Sequence, residues 1–258
     1  MTKNFKDHLF SLIKSLSKSE KRQFKLYVGR LGVNEDSKFL LLFNVIDKMT
    51  SYNELDILQK GFVTKQQLSN LKAHLYKQIL ISLRLNPSHQ SIRIQIREQL
   101  DFATILYSKG LYKQSLKILD KAKQSALLNE EKNVAYEIIE LEKVIESQYI
   151  TRSGSNRAER LVAQSEAVSI ENMLASQLSN LSLKLYEKFL KTGYVKNKTE
   201  HNELTKYFKT HLPKVEINVI GFREKLWYFK SHLWYSFLTQ DFLSCYKYAK
   251  KWVELFYE

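Results

Sequence analysis

Apolar residues recur at three- and four-residue intervals along most of the chain, the spacing that lines up one face of a helix with 3.6 residues per turn. Ile96, Leu100, Ala103 and Tyr107 form one such stripe, and after the break Lys109-Gly110-Leu111 a second runs through Tyr112, Leu116, Leu119, Ala122 and Ala126. Gly110 suits the left-handed backbone at which helices commonly end, so the two stripes are predicted to form an αα-hairpin. Three later stretches repeat the plan. Val134, Ile138, Leu141 and Ile145 lead through Gly154 to Ala158, Leu161, Ser165 and Val168. Leu174, Leu178, Leu181, Leu185 and Phe189 lead through Gly193 to Leu204, Tyr207 and Phe208, and Leu226, Phe229, Leu233 and Phe237 lead through Gln240-Asp241 to Cys245, Ala249 and Trp252. The expected hairpins are 92–128, 132–170, 171–211 and 220–258.

The preceding residues, 1–87, read as a separate helical region. Phe5, Leu9, Leu12, Ile13 and Leu16 fall on one helical face, and Ser17 with Glu20 three residues on is a capping-box pattern that opens a second helix, through Phe24, Tyr27 and Val28 to Gly29 and Gly32. A third helix is expected over Asp36–Met49, a short fourth over Glu54–Gln59, and a long fifth that starts at a second capping box, Thr64 and Gln67, and carries Leu68, Leu71, Leu75, Ile79 and Leu83. Asn86-Pro87-Ser88 stops it, because proline disfavours helix in the residue before it. This region is expected to cap the hairpins. Val215–Val219 alternates like a strand but has nothing to pair with in a helical chain, so an extended linker is expected there. The last helix reaches Glu258 without a glycine, an asparagine or a basic last turn, from which the native chain is expected to continue.

Composition agrees with the pattern. Seven glycines and two prolines in 258 residues are too few for the turns of a β or α/β fold, which leaves an all-α protein. No apolar run approaches the roughly 20 residues of a membrane span, and the N-terminus lacks the apolar core of a signal peptide, so a cytoplasmic location is expected. One cysteine, Cys245, excludes an intramolecular disulfide and sits where a buried, inert thiol is expected.

Ala103, Ser115 and Ala122 place small residues where the first two helices would cross, with Gly110 at the turn and Tyr112 two residues later. In these features the hairpin resembles the tetratricopeptide repeat, with Leu119 at the large apolar position of the second helix and Gln99 where the family has an apolar residue. Turn positions 110, 154, 193 and 240 are 44, 39 and 47 residues apart, longer than the family's repeat of about 34, so the copies are divergent. The resemblance implies a right-handed α-solenoid over residues 92–258 and a concave groove, lined by the first helix of each hairpin, that takes a peptide or partner helix. Position matching carries that groove onto Arg97, Thr104, Tyr107 and Ser108, onto Lys184, Glu187 and Lys191, and onto Trp227, Lys230 and Trp234. Aromatic and basic groups together suit an acidic protein or peptide partner. The lysine-and-asparagine clamp with which some members hold a C-terminal carboxylate is absent.

Charge adds a second reading. The chain has 41 basic and 27 acidic residues, and residues 1–90 alone hold 15 and 7. The densest patch is Lys14, Lys18, Lys21, Arg22, Lys25 and Arg30, a cation set that can neutralise nucleic-acid phosphates. Residues 36–85 also fit a three-helix DNA reader presenting Lys65, Gln66, Ser69, Asn70 and Lys72. A solvated lysine-rich face is the plainer reading of both features, since lysine outnumbers arginine here and base and phosphate forks favour arginine. Catalysis has little support: the six histidines are scattered, no His-Glu-x-x-His or phosphate-cradling glycine loop occurs, and Glu137, Glu140, Glu142 and Glu146 read with Lys143 as a solvated face. No metal site or cofactor is expected. The sequence therefore points to a non-catalytic interaction protein, with a nucleic-acid-binding or regulatory role of the N-terminal helices as the alternative.

Overall fold

A computed structural model describes residues 7–30, 32, 37–86, 89, 91–148 and 156–257. The described residues contain twelve α-helices and no strand, and the chain divides into two compact units, 1–91 and 92–258.

The first unit holds α1 (His8–Ser15), α2 (Lys18–Arg30), α3 (Lys38–Lys48), α4 (Glu54–Gln59) and α5 (Lys65–Arg84). Its helix starts follow the capping signals. Ser17 N–H donates to Glu20 Oε2 at 2.6 Å while Glu20 N–H donates to Ser17 Oγ at 3.2 Å, the reciprocal box the sequence indicates. At α5 only half of the expected box forms: Gln67 N–H donates to Thr64 Oγ1 at 3.4 Å, but the Gln67 side-chain oxygen accepts from Lys38. One core gathers Leu9 and Ile13 of α1, Phe24 and Val28 of α2, Leu42, Phe43 and Ile46 of α3, and Leu68, Leu75 and Ile79 of α5. Phe24 and Phe43 meet at its centre with ring centroids 4.8 Å apart.

The second unit holds α6 (Ile92–Ser108), α7 (Tyr112–Leu128), α8 (Lys132–Gln148), α9 (Arg157–Thr192), α10 (Lys198–His211), α11 (Phe222–Leu238) and α12 (Phe242–Glu254). Three of its turns share one geometry. At Gly110, Glu130 and Gln240 the backbone is left-handed, φ 76°, 57° and 58°, and the next residue's N–H reaches back five residues, Leu111 to Leu106, Glu131 to Ala126 and Asp241 to Ser236. This is the Schellman ending, which satisfies carbonyls a helix leaves open. Only the first of the three uses glycine, so the α7–α8 turn carries no glycine signal in the sequence. The expected turn glycine Gly154 lies outside the described residues. Val215–Val219 contains no strand; its residues run into a turn closed by Val219 N–H on the Glu216 carbonyl.

The expected boundary at 170/171 is not there. α9 runs unbroken for 36 residues, and no glycine or proline falls inside it to end it. Its first half lies antiparallel to α8, with Arg157 beside Glu146 and Ser165 beside Glu140, while its second half runs parallel to α11, with Asn172 beside Arg223, Leu178 beside Ser231 and Tyr186 beside Trp234. The buried stripe shifts accordingly, from Leu161, Ser165 and Val168 to Leu178, Leu181 and Leu185, more than a third of a turn around the helix at about 100° per residue. What the periodicity suggests as the end of one hairpin and the start of the next is one helix that packs on different neighbours in its two halves.

At the middle of α9 the N-terminal ends of α8 and α11 come together around a buried ammonium. Lys132 Nζ lies 3.1 Å from Glu130, 3.2 Å from Glu171 and 3.6 Å from Glu224. Glu224 is 1% exposed, and neither of its oxygens has a hydrogen-bond partner. Burial alone would lower the Lys132 pKa, but the bonds to Glu130 and Glu171 and the charge of Glu224 outweigh it and hold the pKa above the usual lysine value. Gly221 fits directly against this cluster: a Cβ there would stand 2.7 Å from both Glu224 Oε2 and Lys132 Nζ. Gly221→Ala should therefore push the lysine off its carboxylates and lower the stability of this unit by about 1–3 kcal/mol, measured as a shifted urea midpoint. An unchanged midpoint would show that the cluster yields freely.

A second ionic group corrects the expectation of a solvated acidic face. Glu142 is 0% and Glu146 7% exposed. Lys123 Nζ donates to Glu142 at 2.5 Å, and Arg157 approaches Glu142 at 3.5 Å and Glu146 at 3.2 Å. Burial raises the Glu142 pKa above the ordinary carboxylate value despite Lys123. Helical spacing alone does not reveal this, because the cations that compensate these carboxylates come from α7 and α9.

Candidate functional site

The residues carried over to a groove do not form one surface. On α6, Arg97 pairs with Glu137 of α8 at 3.8 Å, Thr104 and Ser108 spend their hydroxyls on carbonyls four residues back, and the Tyr107 hydroxyl donates to Gln148 at 3.1 Å. On α9, Glu187 lies between Lys184 at 3.5 Å and Lys191 at 2.6 Å, so one of the two lysine charges is cancelled within the trio; the Glu187 pKa is lowered, chiefly by its bond to Lys191. Lys184 lines a depression between α9 and α10 with Tyr207 and His211. Trp234 instead packs with Tyr186, Phe189 and Phe237 between α9 and α11, and Lys230 lies 4.9 Å over the Trp227 ring. Lys184 and Tyr186 are two residues apart, which turns them to nearly opposite sides of the helix. The basic and aromatic halves of the expected groove thus face different ways.

The core face of α11 also differs from the expected stripe. Phe229 is buried, but the other buried positions are Glu224, Ser231, Ser236 and Leu238, while Leu226, Leu233 and Phe237 are only partly covered. His232 enters a box of rings, stacked on Tyr248 at 4.4 Å, tilted on Tyr228 at 4.5 Å and edge-on to Phe208 at 5.0 Å. Burial there pushes its pKa down to about 4, and its Nε2 has no hydrogen-bond partner. This imidazole is neutral at physiological pH and sits among apolar faces.

Exposed apolar side chains also line α12, which the periodicity assigns to the second helix of the last hairpin with Ala249 on its packed stripe. α12 has two apolar stripes. Cys245, Tyr248, Trp252 and Leu255 turn toward α11, with Tyr248 on His232 and Lys251 over Phe229. Cys245 is only half-buried there, less enclosed than expected, and burial raises its thiol pKa. The other stripe, Phe242, Tyr246, Ala249 and Val253, follows a four-three-four spacing, and its large members are 60%, 70% and 45% exposed; past the end of the helix Phe256 lies edge-on to Phe222 of α11 at 5.5 Å. Leu243, 82% exposed, borders the stripe. That spacing was visible in the sequence; that α11 is the main helix packed on α12 among the described residues was not.

The basic patch of the first unit divides into engaged and free cations. Lys14 donates to the Asp47 carbonyl at 2.6 Å and Lys21 pairs with the Asp47 carboxylate at 2.7 Å. Lys18, Arg22, Lys25 and Arg30 have no acidic partner among the described residues, and with Lys21, Leu26 and Gly29 they line an open depression on the outer side of α2. Lys72, expected on a DNA-reading face, is instead partly buried and donates to Asp7 and to the Tyr52 hydroxyl. Among the described residues no cluster of His, Cys, Asp or Glu could hold a metal ion, and no helix is long and apolar enough to cross a membrane. Comparison with protein-family models, with curated proteins and with solved structures finds no match to the chain.

Proposed function

We propose that the protein is a non-catalytic interaction protein and that α12 is its main docking element. The observation that carries this reading is the outward stripe Phe242, Tyr246, Ala249 and Val253, left open on a helix whose other side, through Tyr248 on His232, faces α11. An apolar patch of this kind on a charged surface marks a binding site. Helical spacing along the stripe and the small Ala249 at its middle suit the close approach of a partner helix. Charge narrows the occupant further. Lys225, Lys230, Lys247, Lys250 and Lys251 all lie on α11 and α12, whereas Glu224 is buried, Asp241 is occupied as the N-cap of α12 and Glu254 pairs with Lys250 at 3.7 Å, so an amphipathic helix with acidic flanks fits best. In this reading the hairpins act as a solenoid-like support made of two stacks that share α9, rather than as one uninterrupted groove of the tetratricopeptide kind.

Two sets of amphipathic helical peptides, with acidic and with basic flanks, test the reading by fluorescence anisotropy. Acidic-flanked peptides should bind, and Tyr246→Glu with Val253→Glu should weaken them by at least ~30-fold, as expected for the loss of a hot-spot contact, with an unchanged circular dichroism spectrum. Equal binding of both sets, or no response to the substitutions, would count against it. Concentration-dependent dimers that the same substitutions dissolve would assign the stripe to a second copy of the chain instead.

A further inference from the structure

The outer face of α2 points to a second ligand, of a different class from the α12 partner. We propose that it binds the phosphate backbone of a nucleic-acid duplex without reading its sequence. Lys18, Arg22, Lys25 and Gly29 are spaced four, three and four residues apart and so form a single exposed stripe, with Leu26 and Arg30 along one edge and Lys21 along the other. At about 1.5 Å rise per residue the stripe is long enough to follow several phosphates of one strand, which recur about every 3.4 Å along the duplex axis.

What distinguishes this face from an ordinary lysine-rich surface is the lack of compensation. Asp47 is committed to Lys14 and Lys21. Glu20, the acidic residue of α2, is turned into the capping box with Ser17 and toward His89 at 2.6 Å, and the bonds to Ser17, backbone first, lower its pKa. Four cations are left with no carboxylate among the described residues. Gly29 adds an open stretch of helix backbone, since a Cβ built there would meet nothing within 4 Å, and a bare backbone lets a ligand come close.

Other polyanions fit less well. A membrane-surface helix must lay an apolar face into the lipid, but Phe24 and Val28 are 1% exposed in the core and Leu26 alone points outward. Single strands are held largely by bases stacking on aromatic side chains. The only tyrosine of α2, Tyr27, is half-buried with its hydroxyl bonded to Gln78 at 2.9 Å. Three of the five cations are lysines, point charges suited to phosphate contact rather than to forked recognition of base edges.

The test is anisotropy of the intact chain with a labelled random-sequence duplex at 50–200 mM salt. Log affinity should fall linearly with log salt with a slope near −3 to −4, about −0.9 per phosphate for roughly four contacts. Lys18→Glu with Arg22→Glu, both exposed and without an acidic partner among the described residues, should flatten that slope by about 2 and reduce affinity at 50 mM salt at least tenfold while leaving the thermal midpoint unchanged. Lys206→Glu with Lys209→Glu on α10, the same change in net charge elsewhere, should do neither. The proposal fails if the α10 pair weakens binding as much as the α2 pair. It fails too if a single strand of equal length or vesicles of anionic lipid bind as tightly as the duplex.

Discussion

Lys132→Met is expected to destabilise the unit formed by residues 92–258 by about 3–5 kcal/mol, the range for removing one partner of a buried charge pair. Methionine replaces most of the lysine stem, so the loss isolates the ammonium. Glu224 lies at 1% exposure with both oxygens unbonded, and Lys132 Nζ, at 3.6 Å, is the cation it faces. Glu130 and Glu171 are 39% and 43% exposed at their side chains and can turn to water when the ammonium is gone; Glu224 cannot. Lys132→Met together with Glu224→Met should then recover most of the loss, because an apolar replacement of a whole buried pair is often neutral. Urea unfolding of the wild type, both single variants and the double variant gives the coupling directly. A double variant as unstable as the sum of the two single ones would mean that the carboxylate and the ammonium do not act as a pair.

The second large effect is a pH dependence. His232 titrates near 4 in the folded protein because burial opposes its charged form, against an ordinary value of 6.5. Between those two pH values the unfolded chain binds a proton that the folded chain does not. Stability therefore declines as the pH falls through 6.5 and stops declining below about 4, with a total loss of at most about 3 kcal/mol. The rings around the imidazole, Phe208, Tyr228 and Tyr248, carry no charge in this range, so nothing close by compensates. His232→Phe keeps a flat ring on Tyr248 and should remove this part of the slope. Unfolding measured at pH 7, 5.5 and 4.5 should show the wild type losing about 2 kcal/mol more than the variant, and parallel profiles would assign the acid sensitivity to other groups.

Helix positions in this chain were largely legible, because each depends on neighbouring residues: the Ser17–Glu20 box, the Thr64 cap, and the glycines at 110 and 193 all sit at helix ends. Packing was less legible. A stripe shows which residues a helix could bury, but the neighbouring helix decides which it does bury. On α11 the close contact with α9 buries Ser231, whose hydroxyl donates to the Leu178 carbonyl at 3.0 Å, ahead of Leu233 and Phe237. Glu142 and Lys123 are 19 residues apart in sequence and are read correctly only as a pair. The groove residues illustrate the same limit. Position matching placed Lys184 and Trp234 on the first helices of successive hairpins, but it could not tell that the two side chains turn to different neighbours. For α2, sequence could count the cations; which of them Asp47 neutralises depends on where α3 ends.

Hairpins that each touched only their neighbours would unfold piecemeal, their stability being a sum of local terms. A continuous α9 changes that expectation, because the first half of the helix completes the stack of α6, α7 and α8 and the second half completes that of α10, α11 and α12. Loosening either stack strips one side of a helix on which the other depends, and the Lys132 cluster ties both to its midpoint. Residues 92–257 should accordingly melt in a single all-or-none transition rather than fray inward from α12, and trimming the last hairpin should weaken the packing around α6 and α7 as well.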